Sequence, residues 1–220
     1  MTILCFNTDV LCRALEENQT GESYHFGRDI IPMLLDGNYK VYGYKFNGYW
    51  GYTRTINEFW QSNMDLLGPD PRIDLEKWVF RTNMDHRGIR DQEPALLEEN
   101  AVVQNSLLYN GCKVAGSVRN SILFPGVHVR QGAVVENSVL FFDNSIGENC
   151  RLNTVVSDVN TSFGAGANIG AKTGSVAEEI TVIGWNNEVP DNIRIGAGAV
   201  VHPRRKGKWP EYVRPGEVLK

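Results

Sequence analysis

The densest charge cluster in this 220-residue chain is Arg204-Arg205-Lys206, with Lys208 close behind. Cations crowded in this way repel one another unless an anion compensates, and phosphate esters suit guanidinium groups, which offer paired donors. The run is a candidate anion or effector site, set against the plainer reading of a solvated tail. His128, within Gly126-Val-His-Val, is a second candidate, because an outward-facing imidazole can serve as a general base. The histidines His25, His86, His128 and His202 are scattered and show no spacing for a metal triad, so no metal site is assigned. Cys5, Cys12, Cys112 and Cys150 also lack ligand spacing and stand among apolar neighbours, which predicts buried free thiols rather than a disulfide framework.

The elements that must position these residues are announced by a repeat. Asn105-Ser-Leu-Leu-Tyr returns as Asn120-Ser-Ile-Leu-Phe and again as Asn137-Ser-Val-Leu-Phe. Apolar residues recur in phase: Ile122, Val129 and Val135, then Val139, Ile146 and Leu152, then Val156, Phe163 and Ile169. Sixfold spacing shows in Val102, Leu108 and Val114 and in Ile183, Val189, Ile195 and Val201. Short β-branched runs broken by Gly and Asn at a fixed period are the signature of a parallel β-solenoid of hexapeptide type. These apolar residues are expected to point inward, with Gly and Asn at the corners. An antiparallel sandwich has no reason to keep such a period.

Composition sets further bounds. With 42% hydrophobic residues, 22% charged residues and a net charge of −4, the chain reads as a globular protein with no membrane span. A cytoplasmic location is expected. Mild acidity without an extended basic stripe gives nucleic-acid binding no support. Residues 1–67 read as a partial α/β segment, with strands at Ile3–Phe6 and Lys40–Phe46. Its helices would be capped by Asn7-Thr8-Asp9, would end near Asp36-Gly37 and would open at Thr55. Residues 68–100 read as a connector with one apolar knot at Trp78-Val79-Phe80. The solenoid takes 101–220, with an excursion over residues 171–182 and a basic C-terminal tail.

Several stretches together resemble the ADP-glucose pyrophosphorylase (glucose-1-phosphate adenylyltransferase) family. They are Ile3-Leu-Cys-Phe-Asn-Thr-Asp-Val-Leu, Phe26-Gly-Arg-Asp-Ile-Ile-Pro, Gly48-Tyr-Trp with Asn63-Met-Asp-Leu-Leu, and Gly116-Ser-Val-Arg-Asn-Ser-Ile-Leu-Phe-Pro-Gly-Val. The resemblance implies a left-handed parallel β-helix preceded by the end of a nucleotidyltransferase domain. It also implies a role in glycogen or starch synthesis under allosteric control by phosphorylated metabolites. The family's glycine-rich nucleotide loop and its sugar-phosphate motif find no counterpart here, so the chain is expected to correspond to the C-terminal portion.

Position by position, the family's strand tyrosine is Leu4, its aspartate before Phe26 is His25, and its metal-ligand aspartate is Tyr52, with Arg54 in place of a glycine. A neutral phenol cannot stand in for a carboxylate on Mg²⁺. No catalytic residue is therefore assigned and no cofactor is expected for this chain alone, although the family uses Mg²⁺. Phe26 and Trp50 are the surviving sugar-site candidates, since an aromatic face suits a pyranose, with packing as the simpler role. Arg28 keeps the charge of the family's lysine and could equally pair with Asp29 or Glu22.

The expected function is that of an adenylyltransferase-like regulatory or assembly unit. Its expected partners are copies of itself, a catalytic nucleotidyltransferase chain and a phosphorylated effector. The alternatives are a hexapeptide-repeat acyltransferase using His128 and a purely structural oligomerisation module.

Overall fold

A computed structural model describes residues 3–21, 23–75, 77–78, 92–171 and 179–220. Val79, Phe80 and His86, and most of the excursion expected over 171–182, lie outside the described residues. The chain divides into two compact units, Met1–Trp50 and Gly51–Lys220.

In the first unit, α1 (Thr8–Glu17) starts where Asn7 Oδ1 accepts the Asp9 N–H at 3.1 Å, satisfying a donor that the first turn cannot use. A π-helical turn, Phe26–Ile30, runs into α2 (Ile31–Asp36). Pro32 falls in the first turn of α2, where its missing N–H costs nothing. These pieces close round Ala14, Ile30 and Leu34, with Phe6, Val10, Met33 and Tyr39 packed against them.

The strands expected at Ile3–Phe6 and Lys40–Phe46 do not form: both runs pair with no ladder among the described residues. A strand is stabilised by its neighbour's hydrogen bonds and side chains, and neither run finds one. Ile3, Tyr42 and Tyr44 are accordingly 71%, 83% and 86% exposed. Asp29's carboxylate is taken by Ser23 Oγ at 2.8 Å and the His25 N–H at 2.5 Å, rather than by Arg28.

From Leu96 onward the second unit is a parallel β-solenoid. Its three faces are a six-stranded sheet A, from Leu96–Leu97 to Glu188–Val189, and two seven-stranded sheets. Sheet B runs from Val102–Gln104 to Tyr212–Val213 and sheet C from Leu107–Leu108 to Val218–Leu219. Every pairing is parallel; residues in register are 17 positions apart in the first pair of sheet A, then 15, 17, 26 and 18 apart along the chain. The jump to 26 marks the expected excursion. The first strand of sheet A pairs with Lys113–Val114, so the solenoid begins a few residues ahead of Ala101.

The repeated Asn-Ser phrase has a structural cause. Asn105, Asn120 and Asn137 adopt left-handed φ of +45°, +46° and +50°, which Asn tolerates better than other side chains. Their amides form a ladder: Asn105 Nδ2 donates to Asn120 Oδ1 (2.9 Å), Asn120 to Asn137 (2.7 Å), and Asn137 to Asn153 (3.1 Å). Each following serine accepts from the backbone of the next coil, as Ser121 Oγ does from Ser138 N and Ser138 Oγ from Val155 N, both at 3.1 Å. The aromatic at the end of the phrase stacks likewise: Tyr109 on Phe124 at 5.3 Å and Phe124 on Phe141 at 4.7 Å between centroids.

Most residues assigned inward are inward, including Leu108, Ile183 and Val201 of sheet C, but the middle coils of that sheet are offset by one at Ile122, Val139 and Val156. Leu123 and Leu140 belong to the interior core, whereas Val139 and Val156 belong to an outer cluster. Ile122 shares their register column and is also buried. Val102 shows the same slip, being exposed while its neighbour Val103 packs on the core. The cover over sheet C is α3 (Ile56–Met64), which opens with a capping box between Thr55 and Glu58. Phe59, Trp60 and Met64 lie on Val139 and Val156, and Trp60 Nε1 donates to Asn137 O at 2.7 Å. Sheet C is therefore apolar on both faces, and a one-residue shift in strand phase exchanges those faces.

Candidate functional site

The basic loop is set by the corner of the last coils. Buried Asn187 accepts the Arg205 N–H through Oδ1 at 2.9 Å and donates to Gly184 O and His202 O, which ties the loop to the interior. Arg205 then turns back on its own loop: Nη1 and Nη2 reach Gly207 O (3.1 Å) and Lys208 O (2.8 Å), and its guanidinium lies 4.8 Å over Trp209. Arg205 Nε is buried with no hydrogen-bond partner. Arg204 lies 4.1 Å over the Trp185 ring and is exposed, as is Lys206. Of the three cations assigned to an anion site, Arg205 holds the loop, while Arg204 and Lys206 face solvent.

The aromatic candidates stand apart. Phe26 pairs with Phe6 at 5.8 Å and is 37% exposed, while Trp50 is 47% exposed. No ring contact joins them among the described residues. In the second unit, the two departures from the family motif pack together: Arg54 lies 5.5 Å over the Tyr52 ring, and Tyr52 O accepts from Ser62 Oγ at 3.0 Å. Tyr52, which the resemblance sets at the place of a metal-ligand aspartate, makes these contacts within its own segment. Among the described residues, no group of three His, Cys, Asp or Glu could hold a metal ion.

His128 is exposed on sheet A, in register with Lys113 on one side and Ser145 on the other. Its pKa is lowered, first by partial burial and then by the Lys113 and Arg130 charges, with Asp143 opposing. The imidazole is therefore biased toward its neutral form. His25 accepts the Gly27 N–H at 3.1 Å to cap the π-helical turn, which is a structural role. All four cysteines are free. Cys112 and Cys150 are buried as expected, but Cys5 and Cys12 are exposed: Cys5 lies in the unpaired run Ile3–Phe6 and Cys12 on the exposed side of α1.

One feature was not anticipated: an apolar cleft of about 420 Å³ between α3 and the outer side of sheet C, lined by Ile56, Phe59, Phe141, Val156, Val182 and Val200, with Asp158 and His202 also on its wall. The signal for it is the doubled apolar pairs Val139-Leu140, Val155-Val156 and Val200-Val201, which leave no polar outer side.

Comparison with known proteins first supports the solenoid class: a family profile described as GlmU-like, C-terminal hexapeptide, matches residues 94–183. The chain is also 37% identical over 216 residues to a glucose-1-phosphate adenylyltransferase of Acetivibrio thermocellus, covering 92% of this chain and 49% of that protein. It is 36% identical to that of Desulforamulus reducens (86% and 48%) and 40% identical over 144 residues to that of Clostridium botulinum (63% and 36%). The chain is thus related to the C-terminal portion of glucose-1-phosphate adenylyltransferases, and its solenoid is of the left-handed hexapeptide type. It spans about half the length of the curated relatives it matches. No described helix is long and apolar enough to cross a membrane.

Proposed function

We propose that this chain acts as the regulatory and assembly portion of a glucose-1-phosphate adenylyltransferase-like system in glycogen or starch synthesis, working with a nucleotidyltransferase portion that supplies the chemistry. The observation that carries this reading is Tyr52, packed under Arg54 at the position the resemblance gives to a metal-ligand aspartate. Without that carboxylate, Mg²⁺ loses a ligand that would hold it against the phosphates.

The solenoid supplies rigid faces for association with further copies, and the Arg204–Lys206 loop is the candidate contact for a phosphorylated effector. Two measurements test the reading. Pyrophosphate release from ATP and glucose 1-phosphate with Mg²⁺ is expected to be undetectable with this chain alone, and measurable turnover refutes the assignment of Tyr52. Calorimetry with fructose 1,6-bisphosphate, phosphoglycerate and sulfate is expected to give heat that disappears in Arg204→Gln/Lys206→Gln. No heat with any of them removes the effector role.

A further inference from the structure

A second cleft, of roughly 480 Å³, lies on the early coils of the solenoid and is lined by none of the residues of the effector loop. Its floor is a column on three successive coils of sheet A: Lys113, His128 and Ser145, each one residue before a buried inner side chain (Val114, Val129, Ile146) and therefore facing out. One wall is the segment entering the first coil, including Glu93, and the other is the corner at Asp143.

The walls are held in place. The Gly111 N–H donates to Glu93 O at 2.6 Å. Gly126 has φ +76°, and a Cβ there would stand 2.2 Å from Asp143 Oδ1, so only glycine lets the carboxylate lie against the corner. Arg130 adds a further cation beside His128. Among the described residues, neither Lys113 nor Arg130 forms an ion pair within 4.0 Å, and neither do Glu93 and Asp143. Lys113 is the cation of the floor, with Arg130 beside His128, and the Glu93 and Asp143 carboxylates stand at the walls without an ion pair to either.

We infer that this cleft binds a small anion that also carries hydroxyl groups, a hydroxylated phosphate ester or carboxylate, with the anionic end over Lys113 and His128 and the hydroxyls donating to Asp143 and Glu93. Phosphate and carboxylate oxygens accept charge-assisted hydrogen bonds from Lys and protonated His, while carboxylates can only accept, which selects hydroxyl donors at the walls. The volume falls within the range of small-molecule sites. The groups facing His128 are Lys113, Arg130, Asp143 and Glu93, with Ser145 the neutral neighbour. Burial first, and then the Lys113 and Arg130 charges, bias the imidazole to neutral; a bound anion offsets the two charges, so it raises the pKa of His128 and binds more tightly as pH falls.

The experiment is side-chain NMR of the histidines against pH, with His128 assigned by loss of its signal in His128→Gln. The probes are glycerol 3-phosphate, glycerate, inorganic phosphate and glycerol. The expected result is a His128 pKa raised by about half a unit or more with at least one hydroxylated anion, and no change with glycerol. Affinity should fall at least about tenfold in Lys113→Gln, as expected for one lost charge-assisted bond.

A response to glycerol 3-phosphate alone makes the ligand a phosphate ester, and a response to glycerate alone makes it a carboxylate. Asp143→Asn should weaken the hydroxylated probes while sparing inorganic phosphate. A His128 titration unmoved by every probe overturns the inference. So does inorganic phosphate binding as well as the hydroxylated anions with Asp143→Asn silent. Because neither Arg204 nor Lys206 touches this cleft, the result is independent of the effector-loop test.

Discussion

Replacing Asn137 by alanine separates the two reasons this residue recurs. Asn137 accepts from Asn120 at 2.7 Å, donates to Asn153 at 3.1 Å, and holds φ at +50°. Each hydrogen bond contributes about 0.5–1.5 kcal/mol net, and a non-glycine side chain in the left-handed region costs about 1–2 kcal/mol, less for Asn. Asn137→Ala should therefore destabilise the solenoid by about 2–4 kcal/mol. Asn137→Gly loses the same bonds but not the backbone preference, and should be less destabilised than the alanine variant by about 1 kcal/mol. Urea unfolding followed by circular dichroism measures both. Equal losses for Ala and Gly would refute the backbone part of the argument, and no loss in either would refute the ladder.

Trp60→Phe keeps the ring of α3 on sheet C but leaves Asn137 O without its 2.7 Å donor. A loss of about 1 kcal/mol in the same assay is expected, and an unchanged midpoint contradicts it. Burial pushes the Cys112 and Cys150 thiols from 9.0 up to about 11 and about 12. The folded state thus keeps protons that the unfolded chain gives up: their contribution to stability is full below pH 9 and is lost as pH rises through those values. In a thiol-reagent titration of the folded protein, Cys5 and Cys12 should react fast and the buried pair only on unfolding, whereas four fast thiols would contradict the burial.

The solenoid was legible because its constraint is periodic. Each coil repeats the same demands on a corner Asn, a following serine and an inner aliphatic residue, so the sequence repeats with them. The phase of sheet C was harder to read because Ile122-Leu123, Val139-Leu140 and Val155-Val156 are apolar on both sides, and adjacent apolar residues do not say which one faces in. The choice is made by α3, whose Phe59 and Trp60 lie far from the repeat in sequence. Helix starts at Asn7 and Thr55 were readable from their caps, which are local. The strands expected at Ile3–Phe6 and Lys40–Phe46 failed because strand formation is decided by a partner, which local pattern does not record.

The candidate site was legible only in composition. Crowding of Arg204, Arg205 and Lys206 was visible, but not that Arg205 folds back on Gly207 and Lys208. One observation about Arg204 goes further. The corner it occupies is filled on earlier coils by Gly126, Asp143, Asn160 and Asn186, all with φ between +54° and +76°. Those residue types tolerate the left-handed corner, whereas arginine at +51° does not do so readily. Its contact with Trp185 recovers about 0.5–1 kcal/mol at an exposed position, less than or at most comparable to the backbone cost of about 1–2 kcal/mol. Asparagine would serve the fold at least as well. An arginine held where the backbone favours Asn or Gly is the kind of local strain that accompanies a ligand contact, and it is the strongest structural support for the effector role proposed for this loop.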